Sequence, residues 1–396
     1  MRGDDTRYEI EQEISRRKAK YVFVDSELKE IARNLRKHVK DVIIFGDDID
    51  KEFINVSSVL KKQNERKSYI HQPEDVAKAT LMIIESSGTT GPAKGAMFSH
   101  HKLVKMFSRN IFMVDDDYKI CGHSPIAHGS GLVTFFTAIV NGKTVVSVKH
   151  GNIESIVDAI EKYKISMLLI TPYYLTRLIK LDRRPDLSSV KTVYTGASKL
   201  PMSVAETFIK KFNISDFRQC YGCTELGSVV TSNQNIVGNL NNSIGKIEPY
   251  MKIKIIDPDT GELLGPNQKG EIVATGPSIF DGYHDQPELT AAAIKDGWFY
   301  TGDIGYYDED ENFFIVDRIK DVIKQNSFGF SPSDIEDVLI QHDAIAEVAI
   351  VGIPDQDAGE LAHAFIVLKP GASITSDEIN NFANGLFIVI VFIRLK

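Results

Sequence analysis

At 396 residues the chain is long enough for two or three domains with a large core. Its 43% apolar and 25% charged residues exclude a disordered chain. A net charge of −8 gives no case for binding nucleic acid or an anionic membrane surface. The cysteines Cys121, Cys220 and Cys223 are too few for a disulfide framework, which points to a reducing compartment. The start, Met1-Arg2-Gly3-Asp4-Asp5, is charged with no apolar stretch behind it, so no secretory signal is expected. The longest apolar run, residues 386–393, is far short of a membrane span.

Residues 21–47 read as strand, helix, strand. Ser26 is placed to cap a helix whose Leu28, Ile31, Leu35 and Val39 share one face, and residues 42–45 follow as a buried strand. Residues 81–84 are a further apolar run. The alternation then returns: strand 165–170, helix 172–181, strand 190–194, helix 202–212, strand 217–220. Such alternation implies a parallel sheet with helical crossovers. From about residue 245 the texture is that of hairpins, with strands at 252–257, 271–274 and 313–316 and polar turns between them. A break is expected at Asp317-Arg318-Ile319-Lys320. Beyond it Ser331-Pro332-Ser333-Asp334 reads as a helix start with Ser331 as cap, followed by an apolar face of Ile335, Val338 and Leu339 and strands near 348–352 and 364–368. A small α+β unit therefore begins near residue 320, after a large α/β part.

Ser86-Ser87-Gly88-Thr89-Thr90-Gly91-Pro92-Ala93-Lys94-Gly95 carries the strongest chemical signal. Small residues let backbone N–H groups approach an anion, hydroxyls add donors and Lys94 adds charge, which suits a polyphosphate. The spacing is not that of a Walker loop. Tyr221-Gly222-Cys223-Thr224-Glu225 lies at the end of an expected parallel strand, where ligands bind in such sheets. There Tyr221 is placed to stack on a base, Thr224 to donate to phosphate and Glu225 to hold Mg²⁺. Tyr300-Thr301-Gly302-Asp303 offers an ionised acceptor suited to a ribose diol, although Gly-Asp is also a common turn. Asp317-Arg318-Ile319-Lys320 reads by itself as a solvated linker. A lone His128, in Ala127-His128-Gly129, is usually structural, and His123 and His128 lack further ligands. Cys220 and Cys223 form a Cys-x-x-Cys without the second ligand pair that a zinc or redox site needs.

Taken in order, these segments resemble the adenylate-forming enzymes, in the branch of acyl-CoA synthetases, coumarate-CoA ligases and firefly-type luciferases. The resemblance covers about residues 18–371 and extends to Phe313-Phe314-Ile315-Val316-Asp317-Arg318 and Asp357-Ala358-Gly359-Glu360-Leu361. It implies a large N-terminal domain of α/β sheets plus a distorted β-barrel, and a small C-terminal α+β domain that rotates between two half-reactions. Residues 1–316 would be the AMP-binding domain with its first part missing, 317–320 the hinge and 321–396 a partial C-terminal domain. The implied substrates are ATP with Mg²⁺, a fatty or aromatic carboxylic acid, and coenzyme A. Carried over by position, Ser86, Ser87, Gly88, Thr89, Thr90, Gly91 and Lys94 would grip the ATP phosphates. Thr224 would contact phosphate and Glu225 the metal. Tyr221, Gly222 and the Gly196-Ala197-Ser198 backbone would lie against adenine. Asp303 would bind the ribose, Arg318 would sit by the nucleotide with Asp317 as pivot, His128 would border the acid and Lys324 would fall at the thioester-forming face. Relatives in this branch are often peroxisomal. Because Arg394-Leu395-Lys396 is not a Ser-Lys-Leu address, the cytosol is the default expectation.

Several positions depart from the family pattern. Pro92 comes one place early, Lys199 stands where Pro is usual before Leu, and Cys220 where Gly is common. Ser327 replaces a Gly of the small-domain loop, so an impaired coenzyme A step is expected. A Ser327→Gly variant that adenylates but gains no thioester formation would count against that. Both ends read as short, and the family's Pro-Lys-x-x-x-Gly-Lys segment is not among these residues. Loss of one such positioned donor costs about 3–4 kcal/mol, so weak adenylation is expected, and full pyrophosphate exchange would overturn it. Two other readings stay open: a non-catalytic nucleotide or acyl-adenylate binding protein of the same fold, and a redox or metal module on Cys220 and Cys223.

Overall fold

A computed structural model describes residues 7–46, 52–61, 73–86, 94–108, 118–149, 151–232, 235–325, 328–355, 358–384 and 391–395. The first strand pair is parallel, Tyr21–Asp25 beside Asp41–Phe45, with Ile54–Asn55 added at the edge. Alternation places Val22, Val24, Val42 and Ile44 inward, against Ala32 and Leu35 of the intervening helix and Ile10 and Ile14 of the helix Arg7–Arg17. The cap differs from expectation. Asp25, not Ser26, accepts from the Glu27 amide, because Asp25 still holds the extended backbone that a cap requires.

The main sheet has seven strands, in the order Lys246–Ile247, Ser228–Ser232, Asp216–Cys223, Thr192–Thr195, Met167–Ile170, Lys119–Gly122, Thr144–Ser147. Its last five members are mutually parallel, as the strand–helix alternation requires, and the first two each pair antiparallel with the next strand. One face packs on the helices Ile153–Tyr163, Pro172–Ile179 and Met202–Phe212 through Ile156, Leu175, Phe208 and Phe217. Strand order reverses between Lys119–Gly122 and Met167–Ile170. The chain therefore leaves these two strands in opposite directions and opens a crevice at their carboxyl ends.

A hairpin, Thr80–Ser86 with Lys94–Ser99, pairs with Gly282–Tyr283 and brings its last rung, Ser86 and Lys94, to that crevice. The expected barrel is a curled antiparallel sheet of Lys252–Ile256, Gly270–Thr275, Trp298–Tyr307, Ile294–Lys295 and Phe313–Arg318. Phe98, Ile120, Leu226, Phe280 and Phe299 form the core that joins hairpin, main sheet and curled sheet.

Asp317 and Arg318, which by themselves read as a solvated linker, are part of a strand. They are the end of the strand Phe313–Arg318, paired with Ile304 and Asp303. Beyond them a further sheet contains Ile323–Gln325, Phe328–Phe330, Ile345–Asp355 and Gly359–Leu368, with Val391–Leu395 running parallel to the last. Of the terminal apolar run, residues 386–390 lie outside the described residues. The helices Pro332–Leu339 and Ser376–Asn384 share a core with this sheet through Ile335, Leu339, Ala364, Ile366 and Ile379. Ser331 precedes the first of these helices but does not cap it, since its hydroxyl donates to Asp317. The Asp317 carboxylate also accepts from the Ser333 hydroxyl at 2.9 Å, so an anion sits at the helix start, where the backbone dipole favours it. Among the described residues, no helix is long and apolar enough to cross a membrane.

Candidate active site

The crevice is a cavity of about 640 Å³, walled by the carboxyl ends of the parallel strands, the hairpin and the curled sheet. Ser86 and Lys94 pair across the hairpin as its last register partners. Ser87, Gly88, Thr89, Thr90, Gly91, Pro92 and Ala93, between them, lie outside the described residues. The Ser86 hydroxyl donates to Glu225 Oε1 at 2.6 Å, and the Tyr283 hydroxyl donates to the same oxygen at 2.8 Å. Lys94 Nζ stands 5.1 Å from the centre of the Tyr283 ring. Burial, reinforced by the Glu225 charge, pushes the Tyr283 phenol far above its ordinary value, so it stays a donor. Tyr283 thus connects the lysine with the carboxylate. Nothing in the sequence marked it, since it comes from a two-residue strand far from both.

Glu225 reaches this position because the strand Asp216–Cys223 ends in one tight turn, Thr224–Leu226. Gly227 closes that turn at φ 72°, where a Cβ would stand 2.1 Å from the Ser278 carbonyl oxygen, so only glycine fits. Thr224 lies beside Gly129, the first residue of the helix Gly129–Val140. His128 caps that helix, its Nδ1 accepting from the Ser130 amide at 3.2 Å, and its ring borders the cavity. Among the described residues no group of three or more His, Cys, Asp or Glu could hold a metal alone. The single carboxylate of Glu225 fits a Mg²⁺ ion that takes its remaining ligands from phosphates and water.

Asp303 enters from the curled sheet. Its turn is fixed by its neighbours: Thr301 Oγ1 donates to the Ile272 carbonyl at 2.7 Å and accepts from the Asp303 amide at 3.0 Å. Gly302, at φ 72°, donates its amide to Glu271 Oε1 at 3.0 Å. Asp303 Oδ2 accepts from the Tyr221 hydroxyl at 2.6 Å, and Oδ1 meets Arg318 Nε at 3.1 Å. Burial raises the Asp303 pKa, while the Tyr221 hydrogen bond and the Arg318 charge oppose the rise. A Tyr221→Phe change removes one opposing contribution. Titration of the Asp303 carboxyl, followed by NMR, is therefore expected to move to higher pH in the variant, and an unchanged midpoint would contradict this arrangement.

Gly196 and Ala197 also face the cavity. A Cβ at Gly196 would lie 2.4 Å from the Cys220 carbonyl oxygen, and Ala197 adopts φ 71°. Among the described residues, three of the site residues proposed from sequence are not on the wall. Ser198 lies beyond it, next to Lys199, whose Nζ pairs with Asp337 Oδ2 at 2.7 Å. Tyr221 stands behind Asp303. Lys324 is exposed on the strand Ile323–Gln325, its amide donating to Glu360 Oε2 at 2.8 Å. Glu271, Lys295 and the wall residues Met106, Leu132, Val133, Leu169 and Ile170 belong to no motif that marks them in the sequence. Burial pushes the Cys220 thiol up to about 12 and the Cys223 thiol well above its ordinary value, so both remain protonated. All three cysteines are free. Among the described residues no group of three or more His, Cys, Asp or Glu gathers around these thiols, so a zinc module has no ligand set there.

Residues 4–284 match the AMP-binding enzyme family and residues 334–388 its C-terminal domain. Luciferin 4-monooxygenase of Photinus pyralis is 33% identical over 377 residues, 91% of this chain and 68% of the relative. The 4-coumarate–CoA ligase-like 3 protein of Arabidopsis thaliana is 30% identical over 401 residues, 96% of this chain and 71% of the relative. The solved structure of o-succinylbenzoate coenzyme A synthetase (MenE) from Bacillus subtilis, in complex with ATP and a magnesium ion, is 23% identical. It superimposes with a TM-score of 0.80 over 98% of this chain and 78% of that one, a likeness of fold. The chain spans 68% and 71% of the length of these two curated relatives, and 57% of the luciferin 4-monooxygenase of Luciola mingrelica. With a family match over most of its length and a cavity that gathers the residues of the resembling motifs, the chain belongs to the AMP-binding enzyme family of adenylate-forming acid–CoA ligases and luciferases.

Proposed function

We propose that the protein activates a carboxylic acid with ATP and then transfers the acyl group to coenzyme A. In the first step a carboxylate oxygen attacks the α-phosphorus and the bond to the bridging oxygen breaks. Pyrophosphate leaves and acyl-AMP remains. In the second step the coenzyme A sulfur bonds to the acyl carbon and AMP leaves. One observation carries this reading: Ser86, Lys94, Thr224, Glu225, Asp303 and Arg318 line a single cavity although they come from three different sheets.

Ser86, Lys94 and Thr224 supply donors and positive charge to phosphate oxygens. Asp303 accepts from the ribose hydroxyls, and Gly196 and Ala197 bring backbone against the base. Mg²⁺ held at Glu225 would neutralise charge that builds on the phosphates. Preset donors around a developing oxyanion are the largest single contribution to such chemistry, and fixed geometry supplies more. Arg318, on the strand that leads into the small unit, joins the nucleotide site to the hinge proposed at 317–320. Lys324 lies off the cavity wall, and in this reading it would act in a second arrangement of that unit, at the thioester-forming face.

The Met106, Leu132, Val133, Leu169 and Ile170 part of the wall carries no formal charge. An acid with an apolar fatty or aromatic body fits there, because a second carboxylate would be desolvated without a cation. A screen of such acids for acid-dependent AMP formation tests the proposal. Turnover with an apolar monocarboxylic acid supports it, whereas ATP binding without AMP formation from any acid would favour the non-catalytic reading.

A further inference from the structure

We propose that Arg17 is a positioning residue for the triphosphate, acting through the stem of the glycine-hydroxyl segment; the inference rests on the nucleotide reading above. Arg17 ends the helix Arg7–Arg17, outside the three sheets that build the cavity, and is not on the cavity wall. Its Nε and Nη2 reach Glu85 Oε1 at 3.0 and 2.7 Å, and Nη2 also lies 3.2 Å from Glu13 Oε2. The guanidinium covers Gly95, where a Cβ would stand 2.4 Å from Cζ and 2.6 Å from Nη2.

Glu85 and Gly95 are register partners in the hairpin. They form the rung directly beneath Ser86 and Lys94. Arg17 therefore holds both strands of that rung at once, one by charge and hydrogen bonds, the other by flat packing that only glycine permits. Lys18, the next residue, pairs with Asp285 at 3.2 Å, just past the strand Gly282–Tyr283 that flanks the hairpin on its other edge. Both Arg17 and Glu85 are mostly shielded from water, with side chains 15% and 28% exposed, so their attraction is less screened than that of a surface pair. Fixing the rung sets the directions in which Ser86 and Lys94 leave the hairpin, and the nucleotide reading assigns these two groups to the β- and γ-phosphates of ATP.

The prediction separates ATP from AMP, which lacks those phosphates. Calorimetric titration of the full chain with each nucleotide is the test. Arg17→Ala and Glu85→Gln are each expected to raise the Kd for ATP about tenfold while the Kd for AMP changes less than about twofold. Because the two residues act as one unit, the double variant should be no weaker than the worse single variant. Should Arg17→Ala fail to fold, Arg17→Lys, which keeps the charge and loses the planar fork, takes its place under the same criteria. Equal weakening of ATP and AMP, an unchanged ATP affinity, or multiplying effects in the double variant would overturn the inference. A wild-type chain that binds neither nucleotide would instead reject the nucleotide reading itself, and this inference with it.

Discussion

Glu225→Gln is expected to lower acid-dependent AMP formation about 10²-fold or more, while the protein stays folded. The carboxylate is buried, and its Oε1 takes hydrogen bonds from Ser86 and Tyr283. A glutamine oxygen can still accept from both hydroxyls, so the local packing has no reason to fail. What disappears is the negative charge that would hold Mg²⁺ against the phosphates. Charge stabilisation of that kind is worth several kcal/mol in the transition state. Tyr283→Phe is the companion change. It removes one neutral donor and leaves the charge, at a cost of about 1–2 kcal/mol, so a roughly tenfold loss is expected. Pyrophosphate exchange, measured beside thermal unfolding, checks both. Equal losses in the two variants would show that the hydrogen-bond pattern, rather than the charge, is what matters at Glu225.

Asp303→Asn is expected to weaken ATP binding by about 30-fold at neutral pH, because hydrogen bonds to an ionised acceptor are worth about 1.5–3 kcal/mol. The effect has a pH signature. Burial holds the folded carboxyl above its ordinary 3.8, with Tyr221 and Arg318 opposing the shift. Wild-type affinity should therefore fall on the acid side at a pH above 3.8, as Asp303 takes up its proton, and the asparagine variant should lack this limb. Stability follows the opposite sense. Between 3.8 and the raised value the folded state retains a proton that the unfolded chain gives up, so this carboxyl lowers stability as pH rises through that window. ATP titrations across about pH 4 to 7 decide the matter. Identical acid limbs in the two proteins would remove Asp303 from the nucleotide site.

Much of this molecule was legible before any coordinates. Strands near 165–170, 190–194 and 217–220 with helices between them required a parallel sheet, and the structure has one with the helix Met202–Phe212 where the apolar period put it. The chemistry of the site was legible in the same way. Glycines with hydroxyls and a lysine, a Thr-Glu at a strand end and a Gly-Asp turn each suit one part of a nucleotide, whatever surrounds them.

The structure decided which groups meet. Tyr283 donates to Glu225 across 58 residues, Tyr221 to Asp303 across 82, and Arg17 to Glu85 across 68. Even the start of the helix Pro332–Leu339 was altered from a distance, since the Ser331 hydroxyl that local rules assign to capping turns instead to Asp317. Periodicity, capping and turn chemistry act over a few residues and are written in the local order of side chains. Strand order, and the side chains it brings face to face, depends on how separate elements bury their apolar surfaces against one another, and a single stretch of sequence does not encode that.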